Sequence, residues 1–323
     1  MTQARSTLID PSNTPYYHCI ARCVRRAFLC GKDDLTGKSY EHRKPWVVDR
    51  LKELAAVFAI EVCAYAVMSN HYHVVLHVDV ERGKNGSDCE VLRQWTLLFD
   101  GPLLVQRFLA DIPLGKAERA RVAAFAAEYR QRLMSISWFM RCLNEHLARK
   151  ANEEDQCKGR FWEGRFKSQA LLDEAALLSC MAYVDLNPVR AGMATMPEAS
   201  DFTSVQERIE QWRKGQCKSW LKPFQIRSRQ EGGIPFALAD YFELVEWAGR
   251  SLRDDKRGAI AGQLPPILER LGINPNAWLG TMKPHGNRFV LGVGRLKALR
   301  AFAEKTGRRW VHGMVASRCL FVG

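Results

Sequence analysis

The pattern of apolar and polar positions predicts three strands and a helix in the first 80 residues. Residues 16–30 are rich in β-branched, aromatic and cysteine side chains, which is typical of a strand. Pro45 occupies a favoured first-turn position, and the apolar residues after it recur at helical spacing: Val47, Leu51, Leu54 and Phe58. Residues 60–67 and 71–80 read as a second and a third strand joined by a short turn, which predicts a hairpin.

The next 120 residues predict further helices and a fourth strand. Residues 81–133 begin with Gly, Asn and Ser and continue as charged helical segments, so we interpret them as an insertion. An amphipathic helix is predicted over 134–154 and a fourth strand over 160–171. Asp173 can cap another helix, and Pro188 ends it because the residue before a proline is disfavoured in the α region.

This order of elements predicts the fold class. Strand, helix, strand, strand, helix, strand matches the split β-α-β plan, an α+β fold with a ferredoxin-like antiparallel sheet. We expect helices on one face of the sheet and a free face for a ligand. Residues 1–200 would form this domain. Residues 201–323, with helical segments near 202–213, 236–252 and 294–306, would form a mainly helical extension.

Composition excludes several classes of protein. With 47% apolar and 26% charged residues in 323, the chain can build a core and is not wholly disordered. It lacks an uncharged apolar run of about 18 residues, so no membrane span is expected. The first residues lack the apolar region of a signal peptide. Ten cysteines without a C-x-x-C pair are typical of reduced thiols, which indicates a cytoplasmic protein.

The net charge of +13 indicates a polyanionic partner, most simply nucleic acid. The excess is uneven: residues 201–323 contain 21 Lys+Arg and 11 Asp+Glu, a net of +10, against a net of +3 for residues 1–200. We therefore expect the extension to add affinity for DNA. The alternative is an ordinary solvated surface.

The third strand contains the first candidate chemistry. Side chains alternate faces along a strand, so His71 and His73 point to the same side, where both imidazoles can reach one metal ion. The alternative is a pair of half-exposed histidines without a ligand.

The helix after Asp173 contains the second candidate. Tyr183 and Asn187 are four residues apart and share a helix face, off the apolar stripe. The amide oxygen of Asn187 suits a hard divalent cation. Alternatively, Tyr183 packs at a helix–sheet seam and Asn187 caps the helix.

Basic and aromatic residues alternate in the predicted fourth strand. This composition suits single-stranded nucleic acid, because cations meet phosphates and rings stack on bases. An aromatic core strand with solvated charges is the alternative. The residues concerned are Arg160, Trp162, Arg165 and Lys167, to which the first strand adds Arg22, Arg25 and Arg26.

Three segments together resemble one family. MSNHYHVVLHV (68–78) resembles the His-hydrophobic-His (HUH) motif of single-tyrosine transposases, with Ser69 where the family commonly has proline. GRFWEGRFKS (159–168) and YVDLNPVRAG (183–192) are similar to the downstream block of the REP-associated tyrosine transposases. The resemblance covers roughly residues 14–195, and the segment 81–133 is longer than compact members have.

The resemblance implies a function and a set of site residues. Tyr183 would be the nucleophile, and Mg²⁺ or Mn²⁺ would be held by His71, His73 and Asn187. The activity would be cutting and rejoining of single-stranded or hairpin DNA through a covalent 5′-phosphotyrosine, by a homodimer at the bacterial nucleoid. The DNA-binding residues would be Arg22, Arg160, Trp162, Arg165, Lys167 and Arg190.

Two alternatives remain open. One is another HUH nickase, of the replication-initiator or relaxase type, although the NPVRAG segment argues against it. The other is a non-catalytic DNA-binding protein on the same fold. A nicking assay on single-stranded DNA, with and without Mn²⁺, separates a binding protein from an enzyme.

Overall fold

One five-stranded sheet forms the centre of the computed structural model, which describes residues 9–11, 14–24, 28–33, 35–216, 218–225, 232–251, 265–282 and 290–321. The strands are β1 (Tyr16–Arg22), β2 (Ile60–Val67), β3 (His71–Val78), β4 (Lys167–Leu171) and β5 (Gly292–Val293). Their order is β2-β3-β1-β4-β5. All neighbouring pairs are antiparallel except β4 and β5. The predicted α+β class and the β2–β3 hairpin are confirmed.

Helices account for most of the remaining described chain. The segment before β4 contains α1 (Lys44–Val57), α2 (Val80–Asn85), α3 (Asp88–Thr96), α4 (Leu103–Leu109), α5 (Lys116–Leu133) and α6 (Ile136–Glu154). After β4 come α7 (Glu174–Asp185), α8 (Asn187–Arg190), α9 (Ser204–Arg213), α10 (Leu238–Ser251), α11 (Pro266–Arg270), α12 (Pro275–Met282), α13 (Leu296–Lys305) and α14 (Met314–Leu320). The interpreted insertion thus forms α2 to α5, and the extension is mainly helical.

The two faces of the sheet are covered by different helices. On one face, Tyr72 of β3 donates a hydrogen bond to Asn144 Oδ1 in α6, at 2.7 Å, and α6 packs against α1. On the other face, α7 crosses β2, β3 and β4. The prediction that this second face is free is therefore wrong where α7 lies. Helix α7 covers this face because nearly all of its side chains are apolar or small, and ten of its twelve residues are buried.

Three predicted strands are shorter in the structure, of which the third, predicted to run to residue 80, ends at Val78. The first ends at Arg22 rather than residue 30, and the fourth begins at Lys167 rather than 160. Residues 160–166 form a loop that lies beside the end of β1, where Cys23 and Trp162 make an isolated bridge. Gly159, with φ of 148°, turns the chain into this loop. The alternating basic and aromatic residues are therefore mostly on a loop.

Elements beyond residue 200 pack on the same sheet and on α7. The Ser204 side chain, at the start of α9, accepts from the backbone N–H of Tyr65 in β2 and donates to Asp185 of α7. β5 extends the sheet beyond β4. None of the helices in the described residues has the length and apolar composition needed to cross a membrane. The division at residue 200 stays a prediction.

Candidate active site

The candidate site lies between the sheet and α7, and strand register sets which residues face it. His73 is paired with Ile20 of β1, and Ile20 is paired in turn with Lys167 of β4. Because side chains alternate faces, the odd-numbered residues of β3 and β4 and the even-numbered residues of β1 share this face. It therefore carries Arg22 and His18 of β1, His71 and His73 of β3, and Lys167 and Gln169 of β4.

Three histidines meet on this face. The rings of His71 and His73 lie 4.9 Å apart between centroids and cross at 73°. The ring of His18 stacks on that of His73 at 5.2 Å, and His18 Nε2 lies 2.9 Å from His73 Nδ1. The predicted convergence of His71 and His73 on one side of β3 is therefore present.

Burial keeps these imidazoles uncharged. It lowers the pKa of His18 to about 4, and burial together with the nearby Arg22 lowers that of His71 to about 4. The pKa of His73 falls well below 6.5, first because of burial and then because His18, His71 and Arg190 add positive charge around it. Neutral imidazoles retain a ring nitrogen lone pair, which is the form that binds metal.

Tyr183 reaches this cluster from α7. Asp173 begins that helix by accepting from the backbone N–H of Ala176 at 2.9 Å. Tyr183 and Glu174 are the two α7 residues that are not buried. The Tyr183 ring lies 5.9 Å from His73 and 6.2 Å from His18, both edge to face. Tyr183 is therefore half-buried at the edge of the histidine cluster.

Arg190 connects Tyr183 to Asn187. Its guanidinium carbon lies 4.2 Å from the centroid of the Tyr183 ring, and its Nη1 donates to Asn187 Oδ1 at 3.1 Å. Asn187 is the first residue of α8, and the cap of α7 is Leu186. The alternative in which Asn187 caps α7 is therefore wrong. This arrangement places a fixed positive charge beside the tyrosine.

The donor groups fit a divalent ion in part. His71 Nδ1 lies 2.7 Å from Asn70 Oδ1, an atom that can only accept, so Nδ1 carries the proton and Nε2 keeps its lone pair. Within the described ranges, no group of three His, Cys, Asp or Glu is placed to hold an ion. A third ligand would have to be an amide such as Asn187. Its Oδ1 has a second lone pair, and its buried Nδ2 has no hydrogen-bond partner in the described part of the chain.

The structure brings some of the expected DNA-binding residues to the site and not others. Arg22 and Lys167 are exposed on the histidine face, and Arg190 lies over Tyr183. Trp162 is on the opposite side: it packs edge to face on Tyr72, and its Nε1 donates to the Asn144 carbonyl at 2.9 Å.

Arg160 and Arg165 are exposed on the loop before β4. The Arg160 Nε donates within this loop, to the carbonyl of Trp162. Contacts of this loop with DNA stay a prediction. Arg25 and Arg26 lie outside the described residues.

Two residues of the cluster were missed in the sequence. His18 and Gln169 are buried on β1 and β4, and His18 Nδ1 lies 3.1 Å from Gln169 Oε1. Alternation within β1 shows which residues share a face with His18, but not which strand lies beside it. A single histidine flanked by aromatic and cysteine side chains therefore gave no distinct signal.

Comparisons with known proteins give little further guidance. No family model matches the chain, and no curated protein matches it. Among solved structures, the chain is similar to a REP-associated tyrosine transposase bound to a REP hairpin, with 11% identity and a TM-score of 0.38. That match covers 72% of this chain and 97% of the other. It assigns no role to any residue.

Proposed function

We propose that the chain is a metal-dependent single-stranded DNA endonuclease and strand transferase in which Tyr183 forms a covalent 5′-phosphotyrosine. One observation carries this proposal: a half-exposed tyrosine lies close to both neutral histidines and an arginine. The centroid of the Tyr183 ring is 5.9 Å from that of His73 and 4.2 Å from the Arg190 guanidinium carbon. This combination supplies a nucleophile, candidate metal ligands and a cation for a phosphate.

The chemistry follows from these groups. The Tyr183 hydroxyl oxygen attacks phosphorus and loses its proton, the bond from phosphorus to the 3′ oxygen breaks, and that oxygen takes up a proton as a 3′-OH. Arg190 would offset the charge of the phosphate. A bound Mg²⁺ or Mn²⁺ would polarise the scissile phosphate. Because the phosphodiester is exchanged for a phosphotyrosine, the reverse attack by a 3′-OH rejoins the strand without ATP.

The fold supports this proposal. The antiparallel strands in the order β4-β1-β3-β2 are those expected for a ferredoxin-like HUH domain, with His71 and His73 on its third strand. Exposed Arg22 and Lys167 on the same face would neutralise phosphates of a single strand or a hairpin. A homodimer at hairpin or palindromic DNA is part of the proposal.

One observation favours a non-catalytic DNA-binding protein as the second candidate. Arg190 donates a hydrogen bond to the amide oxygen of Asn187, and no group of three His, Cys, Asp or Glu among the described residues is placed to hold an ion. If this oxygen stays with Arg190, the site contains only two metal ligands. The same fold would then bind DNA without cutting it.

The test uses labelled single-stranded and hairpin oligonucleotides with Mn²⁺ or EDTA. The wild-type chain is expected to form an adduct with DNA that survives denaturing electrophoresis, and Tyr183→Phe should lose it while retaining binding. Tyr40→Phe, a half-buried tyrosine outside the site, is the matched control. An undiminished adduct in Tyr183→Phe would exclude this nucleophile. Binding without any adduct in the wild type would favour the second candidate.

A further inference from the structure

His18 is a buried histidine that the proposed reaction does not use. It is 1% exposed and lies between two partners. Its Nδ1 is 3.1 Å from Gln169 Oε1 on β4, and its Nε2 is 2.9 Å from His73 Nδ1 on β3. The three side chains form a chain of two hydrogen bonds across three neighbouring strands.

The direction of these hydrogen bonds follows from the donors and acceptors available. Gln169 Oε1 can only accept, so His18 Nδ1 donates to it. A neutral imidazole that donates from Nδ1 has a lone pair on Nε2, so His18 Nε2 accepts. The remaining partner, His73 Nδ1, must then be the donor. Its proton is therefore on Nδ1, and its Nε2 has a lone pair.

We propose that Gln169 and His18 are positioning residues that hold His73 in the Nδ1-protonated tautomer, with Nε2 left as the ligand for a divalent ion. The metal part rests on the proposed function, whereas the tautomer is a property of the metal-free chain. Asn70 fixes His71 in the same way, through an amide oxygen 2.7 Å from its Nδ1. Each candidate ligand would thus be oriented by an amide: directly for His71, and through His18 for His73.

The first experiment measures the tautomer directly. The full-length, metal-free chain is labelled with ¹⁵N in its eight histidines, and long-range ¹H–¹⁵N correlation spectra are recorded at neutral pH. Signals are assigned by single substitutions. The proposal expects both His18 and His73 to carry the proton on Nδ1. A wild-type spectrum with the His73 proton on Nε2 would overturn it, whatever the protein does to DNA.

The second experiment breaks the chain of hydrogen bonds. Gln169→Met keeps much of the side-chain volume but removes the acceptor, so His18 can carry its proton on Nε2 and donate to His73. His18→Gln is the second variant, and circular dichroism checks that each is folded. In either variant, the His73 proton is expected to move partly to Nε2. Mn²⁺ affinity, measured by electron paramagnetic resonance, should fall roughly 10–100-fold, as when outer partners of metal ligands are removed.

His77→Gln is the matched control. His77 lies on the same face of β3, but its Nδ1 is paired with Glu61 at 2.8 Å, outside the chain of hydrogen bonds. This substitution should change neither the His73 spectrum nor Mn²⁺ affinity. An unchanged His73 tautomer in both folded variants would contradict the proposal. No Mn²⁺ binding by the wild type would instead contradict the proposed metal chemistry, and the spectrum would still decide the tautomer.

Discussion

The rings of Tyr183 and His73 lie 5.9 Å apart, centroid to centroid, within a single chain. The proposed nucleophile and one proposed metal ligand therefore belong to the same site without a contribution from a second copy. The tyrosine comes from a helix laid across the sheet, and the histidine from a strand of that sheet.

This geometry predicts that the site does not complement between chains. Tyr183→Phe and His73→Ala proteins are expected to form no covalent DNA adduct when mixed, because neither chain then has both groups. The measurement is adduct yield on a denaturing gel, with each variant mixed with wild type as the control. Restored adduct in the double-variant mixture would mean that two copies share their active sites.

The histidines are predicted to act through metal. His71→Ala and His73→Ala should each abolish Mn²⁺-dependent cleavage while leaving DNA binding nearly intact. The loss of a direct ligand is expected to exceed the roughly 10–100-fold that removal of an outer partner costs. Cleavage rates over a Mn²⁺ titration measure this, with His77→Ala as the control. Equal loss in His77→Ala would point to damage of β3 rather than to a metal site.

Asp185 is predicted to make stability fall as pH rises. Burial raises the pKa of this carboxyl from 3.8 to about 6, although Ser204 and Tyr241 donate hydrogen bonds to it. Since the folded state holds this proton more tightly, the stabilisation is complete below 3.8 and is lost as pH rises through about 6.

Asp185→Asn removes this titration. Between pH 5 and 7.5, the wild type should therefore lose about 1 kcal/mol more unfolding free energy than the variant does. Urea denaturation at both pH values measures the difference. If the two proteins respond identically to pH, Asp185 has an ordinary pKa in the folded state.

The extension is predicted to contribute phosphate contacts. Lys297, Arg300 and Arg309 are exposed cations in a segment with a large positive excess. Changing all three to Gln should make the binding constant for single-stranded DNA less dependent on salt. Each lost phosphate contact reduces the slope of log K against log salt concentration by roughly 0.7, so the three changes together reduce it by up to about 2. Binding isotherms at several salt concentrations measure it.

The control is a triple substitution of exposed cations on α5: Lys116, Arg119 and Arg121. These residues lie in the insertion, and their loss should leave the slope unchanged. An identical slope in the extension variant and the wild type would mean that the charge of the extension is solvated surface.

Much of the sheet was predictable because its strands are locally distinct. β2 and β3 begin at the residues that the pattern predicts, and Ser69 and Asn70 separate them. β5 has only two residues, too few for periodicity to detect, and forms only because β4 offers a free edge. The false strand over 160–166 arose because basic and aromatic residues are interleaved there. In the structure only Phe161 and Phe166 of this segment are buried, and both belong to a loop.

Only part of the candidate site could be predicted from the sequence, because some of its contacts are local and others join distant strands. His71 and His73 are two residues apart on one strand, so their convergence is a local property of the chain. The contact between His18 and His73 joins positions 55 residues apart. It depends on the register between β1 and β3, which alternation within either strand does not contain.

Helix α7 is tied at both ends to segments beyond residue 200. Asp173 accepts from the backbone N–H of Arg295 at 2.6 Å, and Asp185 accepts from Ser204 and Tyr241. Such a helix gives Tyr183 little freedom to swing between a cut end and a new target. In the proposed reaction, Tyr183 would stay in place while one DNA end is covalently attached to it. Strand exchange would then require the DNA to move within the site. The rate of strand exchange would depend on how readily the free 3′ end leaves the site and a second 3′ end enters it.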